Sequence, residues 1–213
     1  MKKIENIRKN YNLETLRKSD LSNSPIKQFK SWFNDIINNK DIIEPTAVNL
    51  STYDVSNGIN SRVVLLKGLT KEGFIFYTNY NSLKATQIEN NENVHLCFFW
   101  PVLQRQVRVK GSAIKISENL SSKYFQSRPR KSKIAAWTSE QSMIIKSRLD
   151  LDSRFLYYEN KFKDKKIPKP ESWGGYKVIP NSMEFWQGRE NRLHDRFLYL
   201  KQNKKWIIKR LAP

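Results

Sequence analysis

The sequence predicts a mainly β, α+β fold: an antiparallel barrel of about eight strands with helices packed around it. Two observations carry this. From Thr46 onward the chain breaks into short apolar runs separated by turn signals, and sequential strands with short connections favour antiparallel pairing. Segments of helical period stand before and between those runs, as expected for helices around a small barrel.

In chain order, "SPIKQFKSWFNDIINN" sets a Ser24 cap and Pro25 before Ile26, Phe29, Phe33, Ile36 and Ile37, which share one face at helical spacing, so a helix is expected there. The period then changes. "TAVNLSTYD", a turn at Asn57-Gly58, "NSRVVLLKGL", a Lys71-Glu72-Gly73 turn and "GFIFYTNY" read as successive strands. A short helix fits "SLKATQIENN". "NVHLCFFW" and "RQVRVKGSAIKIS" are strand-like and joined through Pro101. "SENLSSKYFQSR" and "RLDLDSRFLYYENKF" read as helices, and "KDKKIPKPESWGG" as a Pro- and Lys-rich loop. "YKVIPNSMEFWQG", "RFLYLKQ" and "KWIIKRL" complete the strands.

At 213 residues, 38% hydrophobic and 12% aromatic, the chain suits one domain over 1–213, with 1–20 as a candidate mobile segment. Lys+Arg 39 against Asp+Glu 20 gives a charge of +19 and a pI near 10.0, which raises nucleic acid as a partner. Many lysines are dispersed, however (Lys2, Lys3, Lys161, Lys163, Lys165, Lys166, Lys204, Lys205), and such residues read as solvated faces. Cys97 is the lone cysteine, so no intramolecular disulfide or cysteine metal cluster can form, which suits a reducing compartment. "MKKIENIRKNYNLETL" lacks the apolar core of a secretory signal, and no stretch approaches the roughly 20 apolar residues of a membrane span. A soluble cytoplasmic protein is expected.

The residue inventory sets several chemistries aside. There is no GxGxxG turn, GxxxxGK[ST] loop, HExxH or paired CxxC, so Rossmann, P-loop and the usual zinc sites lack their parts, and no metal is expected. His95 sits in an apolar strand run and reads as a core residue. His194 differs through its neighbours: "FWQGRENRLHDRFLYL" crowds Arg189, Arg192, His194, Asp195 and Arg196 into eight positions beside Trp186. Mutual repulsion disfavours this unless something anionic sits among the guanidinium groups. If residues 191–198 are extended, Arg192, His194 and Arg196 share one face at about 7 Å per step. That ladder suits a flat anionic ligand, and equally a surface strand whose arginines pair with acids elsewhere.

Two further sets stand out. Arg62 and Lys67 bracket four apolar residues in "SRVVLLKG". Five apart, they point to opposite faces of an ideal strand, which reads as charged ends on a buried strand. Tyr124, Arg128 and Ser132 recur every four residues in "YFQSRPRKSK", and continued helix would stack them as a phosphate-binding set. Pro129 disfavours helical geometry at Arg128, and a basic nucleic-acid patch competes for the same residues.

From about Arg8 to Pro213, "RVVLLKG", "FYTNY", "QRQVRV", "YFQSRPR", "IAAWTSEQS", "WGGY", "EFWQG", "RLHDRF" and "RLAP" occur in the order and at the separations of one family. The chain resembles the pyridoxamine/pyridoxine 5'-phosphate oxidases. The resemblance implies an antiparallel split β-barrel of the FMN-binding type and oxidation of pyridoxine or pyridoxamine 5'-phosphate to pyridoxal 5'-phosphate, with oxygen as acceptor and hydrogen peroxide as product. It implies a homodimer with shared sites, and neither nucleic acid nor membrane as partner. Implied FMN contacts are Arg62, Val63, Val64, Leu65, Leu66, Lys67, Tyr77, Thr78, Lys84, Gln106, Gln141, Ser142, Trp186 and Arg196. Implied substrate contacts are Lys67, Tyr124, Arg128 and Ser132 at the phosphate and Arg192 and His194, the catalytic pair, at the ring. Arg8 and Tyr11 join them, and whether the first dozen residues close as a lid stays open.

One departure is visible. Where the family pattern has arginine before the lysine of "NYxSRK", this chain has Leu83, a lost charge that Lys71 or an amino-terminal lysine could replace. Two other readings compete: a split-barrel flavoprotein with another substrate, and a basic RNA-binding protein.

Overall fold

The computed structural model describes residues 3–213; Lys2, counted above among the surface lysines, lies outside them. Nine strands are found among the described residues: β1 (Ala47–Asp54), β2 (Gly58–Leu65), β3 (Gly68–Leu69), β4 (Phe74–Asn79), β5 (Asn93–Trp100), β6 (Arg105–Lys115), β7 (Trp173–Gln187), β8 (Asp195–Gln202) and β9 (Lys205–Leu211). They pair in the order β2-β1-β5-β6-β7-β4-β3, with β8 joined to β7 and β9. The β3–β4, β4–β7, β7–β8 and β8–β9 ladders are antiparallel. The strand beyond the expected eight is β3, which the Leu66-Lys67 step separates from β2. No helix among the described residues is long and apolar enough to cross a membrane.

Two compact units emerge, one from Met1–Leu50, His95–Gly111 and Pro180–Pro213, the other from Ser51–Val94 and Ser112–Ile179. In the first, α1 (Pro25–Ile37) starts where the sequence predicts, with Ser24 Oγ accepting the Lys27 N–H at 3.4 Å and Pro25 in the first turn. Its apolar face buries Phe29, Trp32 and Ile36. Phe29 lies 4.9 Å from Phe98, and Trp32 meets Phe185 edge-on at 5.2 Å. Large aromatic area of this kind dominates core energetics. His95 corrects its expectation: β5 alternates, Val94 and Leu96 take the core face, and His95 is half-buried on the other.

The second unit carries α2 (Leu83–Asn90), α3 (Glu118–Ser127), α4 (Arg130–Thr138) and α5 (Arg148–Lys161). Phe125, Ile134, Phe162, Ile167 and Trp173 form a core between these helices and β7. Arg130 ties α4 to the end of α5 by donating to the carbonyls of Phe162 and Lys165. Gly58 opens β2 directly after the turn from β1 with φ 66, a conformation that glycine adopts without steric cost. β2 is an end strand of the sheet order and alternates between half-buried and exposed, with Val63 65% exposed. The expectation of a buried strand with charged ends therefore fails: among the described residues no position of β2 is buried, and one of its faces is exposed.

Candidate active site

The second unit holds a cavity of about 720 Å³, within the range of small-molecule sites. Arg62, Val63, Val64 and Leu65 of β2 line it with Lys67 just beyond, and Tyr77 and Thr78 of β4 face them. The first turn of α2 adds Leu83 and Lys84. Tyr124, Arg128, Pro129 and Ser132 come from the α3–α4 corner, Gln141 and Ser142 from the loop after α4, and Trp173 from β7. Arg62 and Lys67 thus reach one site although five apart, because Lys67 lies past the end of β2. Leu66, expected among the cofactor contacts, is instead 6% exposed and absent from this lining.

Lys84 is the most buried cation of the cavity, 7% exposed. Its Nζ donates to Thr78 Oγ1 at 3.2 Å, Ser82 Oγ at 3.0 Å and Gln141 Oε1 at 3.0 Å, which uses all three ammonium hydrogens. Burial, and then the charge of Arg62, bring its pKa down to about 8. Arg62 donates through Nη1 to Thr52 Oγ1 at 2.6 Å. No carboxylate lines the cavity among the described residues, so its charge favours an anion.

The helix ends before Arg128, as Pro129 predicts. Arg128 is extended, at φ −71 and ψ 150, as the clash of Pro129 with its preceding residue requires, and Pro129 occupies the N-cap position of the next helix. Tyr124, Arg128 and Ser132 still converge on the cavity, now from a corner between two helices. The Arg128 guanidinium lies 4.8 Å over the Trp173 ring and 5.6 Å over Phe125. Its Nη1 is buried without a hydrogen-bond partner, an arrangement that costs free energy until an acceptor arrives. Tyr77 stacks on Tyr124 at 4.0 Å and on Trp173 at 5.2 Å. Burial raises both tyrosine pKa values, keeping them as neutral hydrogen-bond donors.

The "RENRLHDR" cluster lies in the first unit and is not the ladder its spacing suggests. Glu190–Arg192 form a 3₁₀ turn, Asn191 and Arg192 have φ of 54 and 62, and β8 begins only at Asp195. Left-handed geometry at two consecutive non-glycine residues turns Arg192 off the strand. The anions that let the arginines gather are the chain's own. Asp195 pairs with Arg189 at 3.1 Å and Arg210 at 2.8 Å, and Glu184 pairs with Arg196 at 2.8 Å and Arg108 at 3.2 Å. Arg192 is exposed and its guanidinium makes no ion pair or hydrogen bond among the described residues.

His194 is held from one side. Its Nδ1 accepts the Arg189 backbone N–H at 3.0 Å, and its ring lies 4.6 Å from Trp186. Burial and the charges of Arg192 and Arg196 lower its pKa. Tyr11 packs 5.8 Å from Trp186 and 5.9 Å from His194, while Arg8 is exposed. Gln106, half-buried on β6, accepts the Cys97 thiol at 3.7 Å.

Residues 38–159 match a family model described as pyridoxamine 5'-phosphate oxidase, and residues 173–213 one described as the pyridoxine 5'-phosphate oxidase C-terminal dimerisation region. The chain belongs to the pyridoxamine 5'-phosphate oxidase family. Proteins named pyridoxine/pyridoxamine 5'-phosphate oxidase from Rhodopirellula baltica and Vesicomyosocius okutanii are 45% and 48% identical to it. Each alignment spans 99% of this chain, with 96% and 98% of the respective relatives. Among solved structures, PhzG from Burkholderia lata, crystallised with tetrahydrophenazine-1-carboxylic acid, matches with a TM-score of 0.88 at 24% identity, over 95% of this chain and 100% of that one. A pyridoxamine 5'-phosphate oxidase-related, FMN-binding protein from Nostoc punctiforme matches with a TM-score of 0.71 at 16% identity, over 91% and 100%. These likenesses bear out the fold class, the antiparallel split barrel with surrounding helices.

In this member of the pyridoxamine 5'-phosphate oxidase family, the sequence reading left out Glu184 as an arginine partner and Ser82 as a Lys84 acceptor. The signal for Ser82 was local, two residues before the lysine. Glu184 has no such signal, because its pairing follows from the β7–β8 register. Lys71, one candidate to replace the arginine lost at Leu83, sits between β3 and β4 and does not line the cavity.

Proposed function

We propose that this protein oxidises the C4' carbon of pyridoxine 5'-phosphate and pyridoxamine 5'-phosphate to give pyridoxal 5'-phosphate. FMN is the cofactor, oxygen the electron acceptor and hydrogen peroxide a product; with pyridoxamine 5'-phosphate, water is also consumed and ammonia released. The observation that carries this reading is the cavity in the second unit, with its four cations, its aromatic wall and the unpartnered Nη1 of Arg128. The donor chemistry suits a phosphorylated flavin and a phosphorylated substrate: guanidinium, ammonium, hydroxyl and amide groups surround a space without carboxylates. The family names of the relatives support the substrate class.

Arg62, Thr78, Lys84, Gln141 and Ser142 would hold the cofactor, with Val63, Val64 and Leu65 along the ring. When bound, FMN supplies the redox chemistry, taking up hydride and passing electrons to oxygen. Arg128 with Lys67, Tyr124 and Ser132 would neutralise the substrate phosphate. Arg192 would use its unpaired charge to hold the substrate ring, and His194 would donate from Nε2 to a polar group on it. Gln106, Trp186 and Arg196 are the remaining cofactor contacts implied by the resemblance, with Arg196 entering as the partner of Glu184. The reading takes the protein as a cytoplasmic homodimer with sites shared between chains. The match of residues 173–213 to a dimerisation region supports the dimer.

The test is the visible spectrum of the purified protein with added FMN, before and after anaerobic addition of pyridoxine 5'-phosphate. The expected result is bleaching of the flavin bands, reversed by air with release of peroxide. A bound flavin that ignores the substrate would overturn the substrate assignment, and no bound flavin would overturn the cofactor. Arg192→Ala is expected to lower turnover far more than FMN content; equal losses would contradict its role.

A further inference from the structure

Asp195 opens β8 opposite Gln187 of β7, and its side chain is 14% exposed. Its Oδ2 accepts the Leu16 backbone N–H and the Arg189 Nη1, each at 3.1 Å, and its Oδ1 accepts the Arg210 Nη1 at 2.8 Å. Three chain segments distant in sequence therefore end on one carboxylate.

Two of them lead on to His194. The backbone N–H of Arg189, whose side chain Asp195 holds, donates to His194 Nδ1 at 3.0 Å. A ring nitrogen that accepts a hydrogen bond carries no proton, so the imidazole is neutral with its hydrogen on Nε2. Leu16, whose N–H Asp195 accepts, is 4% exposed, and Leu13 upstream donates its N–H to Gln104 Oε1 at 3.3 Å. These two bonds fix the segment that carries Tyr11, and the Tyr11 ring packs against both Trp186 and His194.

We propose that Asp195 is a positioning residue for His194: it fixes the Nε2–H tautomer through Arg189 and holds the Tyr11 segment against the ring through Leu16. Nε2 is then the one nitrogen of His194 that can meet a ligand, and it meets it as a donor. His194 thereby selects a hydrogen-bond acceptor on the bound molecule, an oxygen or an unprotonated nitrogen, and disfavours a donor at that place. The charges of Arg192 and Arg196 beside the ring act in the same direction, since both oppose its protonation. The selection step rests on the reading of His194 as a substrate contact; the control of tautomer and segment does not.

The experiment uses the full-length protein labelled with nitrogen-15. His95 and His194 are the only histidines, so His194→Gln assigns the ring signals. Long-range proton–nitrogen spectra near neutral pH are expected to show the Nε2–H form in the parent protein. Asp195→Ala and Arg189→Ala should both show mixed tautomers. Trypsin cleavage after Arg17 and Lys18 should accelerate about tenfold in Asp195→Ala, the equivalent of one hydrogen bond to a charged group. Asp195→Asn, which keeps an acceptor, should restore part of that protection. Should Asp195→Ala fail to fold, Arg189→Ala carries the tautomer test and Asp195→Asn the cleavage test. A pure Nε2–H signal in Arg189→Ala, or unchanged cleavage in both Asp195 variants, would overturn the proposal. If the tautomer shifts as expected while His194→Gln leaves kcat/KM intact, the positioning stands and the substrate role of His194 falls.

Discussion

Arg196 and Glu184 close on each other across the β7–β8 ladder, with Nε and Nη2 of the guanidinium both 2.8 Å from Oε1 of the carboxylate. Register makes the pair: Trp186 lies opposite Arg196 and Glu184 opposite Leu198, so Glu184, Trp186 and Arg196 share one face. The second carboxylate oxygen takes Arg108 at 3.2 Å. With Asp195 serving Arg189 and Arg210, these four arginines each have a carboxylate partner from within the chain, and Arg192 has none among the described residues.

Glu184→Gln should therefore destabilise the protein. The Glu184 side chain is 8% exposed and that of Arg196 24%, so losing the carboxylate leaves a guanidinium shielded from water without a counter-charge. A loss of about 3 kcal/mol is expected, the lower end for breaking a buried pair. Urea unfolding should show a lower midpoint at an unchanged slope. A midpoint equal to that of the parent would mean that water already screens the pair.

Lys84 should make both stability and cofactor binding depend on pH. Its folded pKa, about 8, lies below the ordinary 10.5 because of burial and Arg62. Between those values the unfolded chain binds more protons than the folded one, so stability without ligand rises as pH climbs from about 8 toward 10.5, and the penalty is fully present below. A bound phosphate prefers the ammonium, so FMN should bind more weakly as pH rises past about 8. Urea midpoints of the parent relative to Lys84→Met, and FMN dissociation constants of the parent relative to Lys84→Arg, would show the two trends. Parallel curves in both comparisons would remove Lys84 from the account.

How much of this was legible varies by element. The helix at Ser24-Pro25 was readable because a cap, a proline and an apolar stripe coincide, and the break at Arg128 because Pro129 forbids helix there. α4 was missed: its apolar face is weak, and Pro129 at its N-cap position reads as a stop. The start of β7 at Trp173 was also missed, since Trp173, Gly174 and Gly175 follow a Pro-rich loop. Pro180 inside β7 falls between Val178, the last residue paired to β4, and Ser182, the last paired to β8, where no ladder bond on that side needs its N–H. In the site, spacing found Tyr124, Arg128 and Ser132 and Pro129 gave the break between them, but not the corner of two helices that brings them together. The carboxylate partners of the arginines depend on register across a ladder, which sequence spacing does not encode.

Leu83→Arg should tighten FMN binding. Leu83 lines the cavity at the first position of α2, and its N–H donates to Ser142 Oγ at 3.2 Å. An arginine there could add one charge-assisted bond to a phosphate, worth about 1.5 to 3 kcal/mol, or roughly tenfold or more in affinity. Quenching of FMN fluorescence on titration gives the dissociation constant. No change would show that Arg62 and Lys84 already satisfy the anion.

Gly175→Ala should displace the aromatic wall of the cavity. Gly175 lies opposite Tyr77 in the β4–β7 register, and a Cβ there would come within 2.9 Å of the Tyr77 ring and 2.7 Å of Ile116 Cδ1. Tyr77 has little room to yield, because Tyr124 stacks on it at 4.0 Å and Trp173 at 5.2 Å. The expected cost is about 1 to 3 kcal/mol, as for other overpacked sites. The shift should pass through Trp173 to Arg128, which sits 4.8 Å over that ring, so affinity for a phosphorylated ligand should fall as well. Shortening the obstructing side chain tests the cause: Tyr77→Val combined with Gly175→Ala should lose less stability than the two single losses added together. Strict additivity would show that the alanine acts elsewhere, since only groups in contact couple in this way.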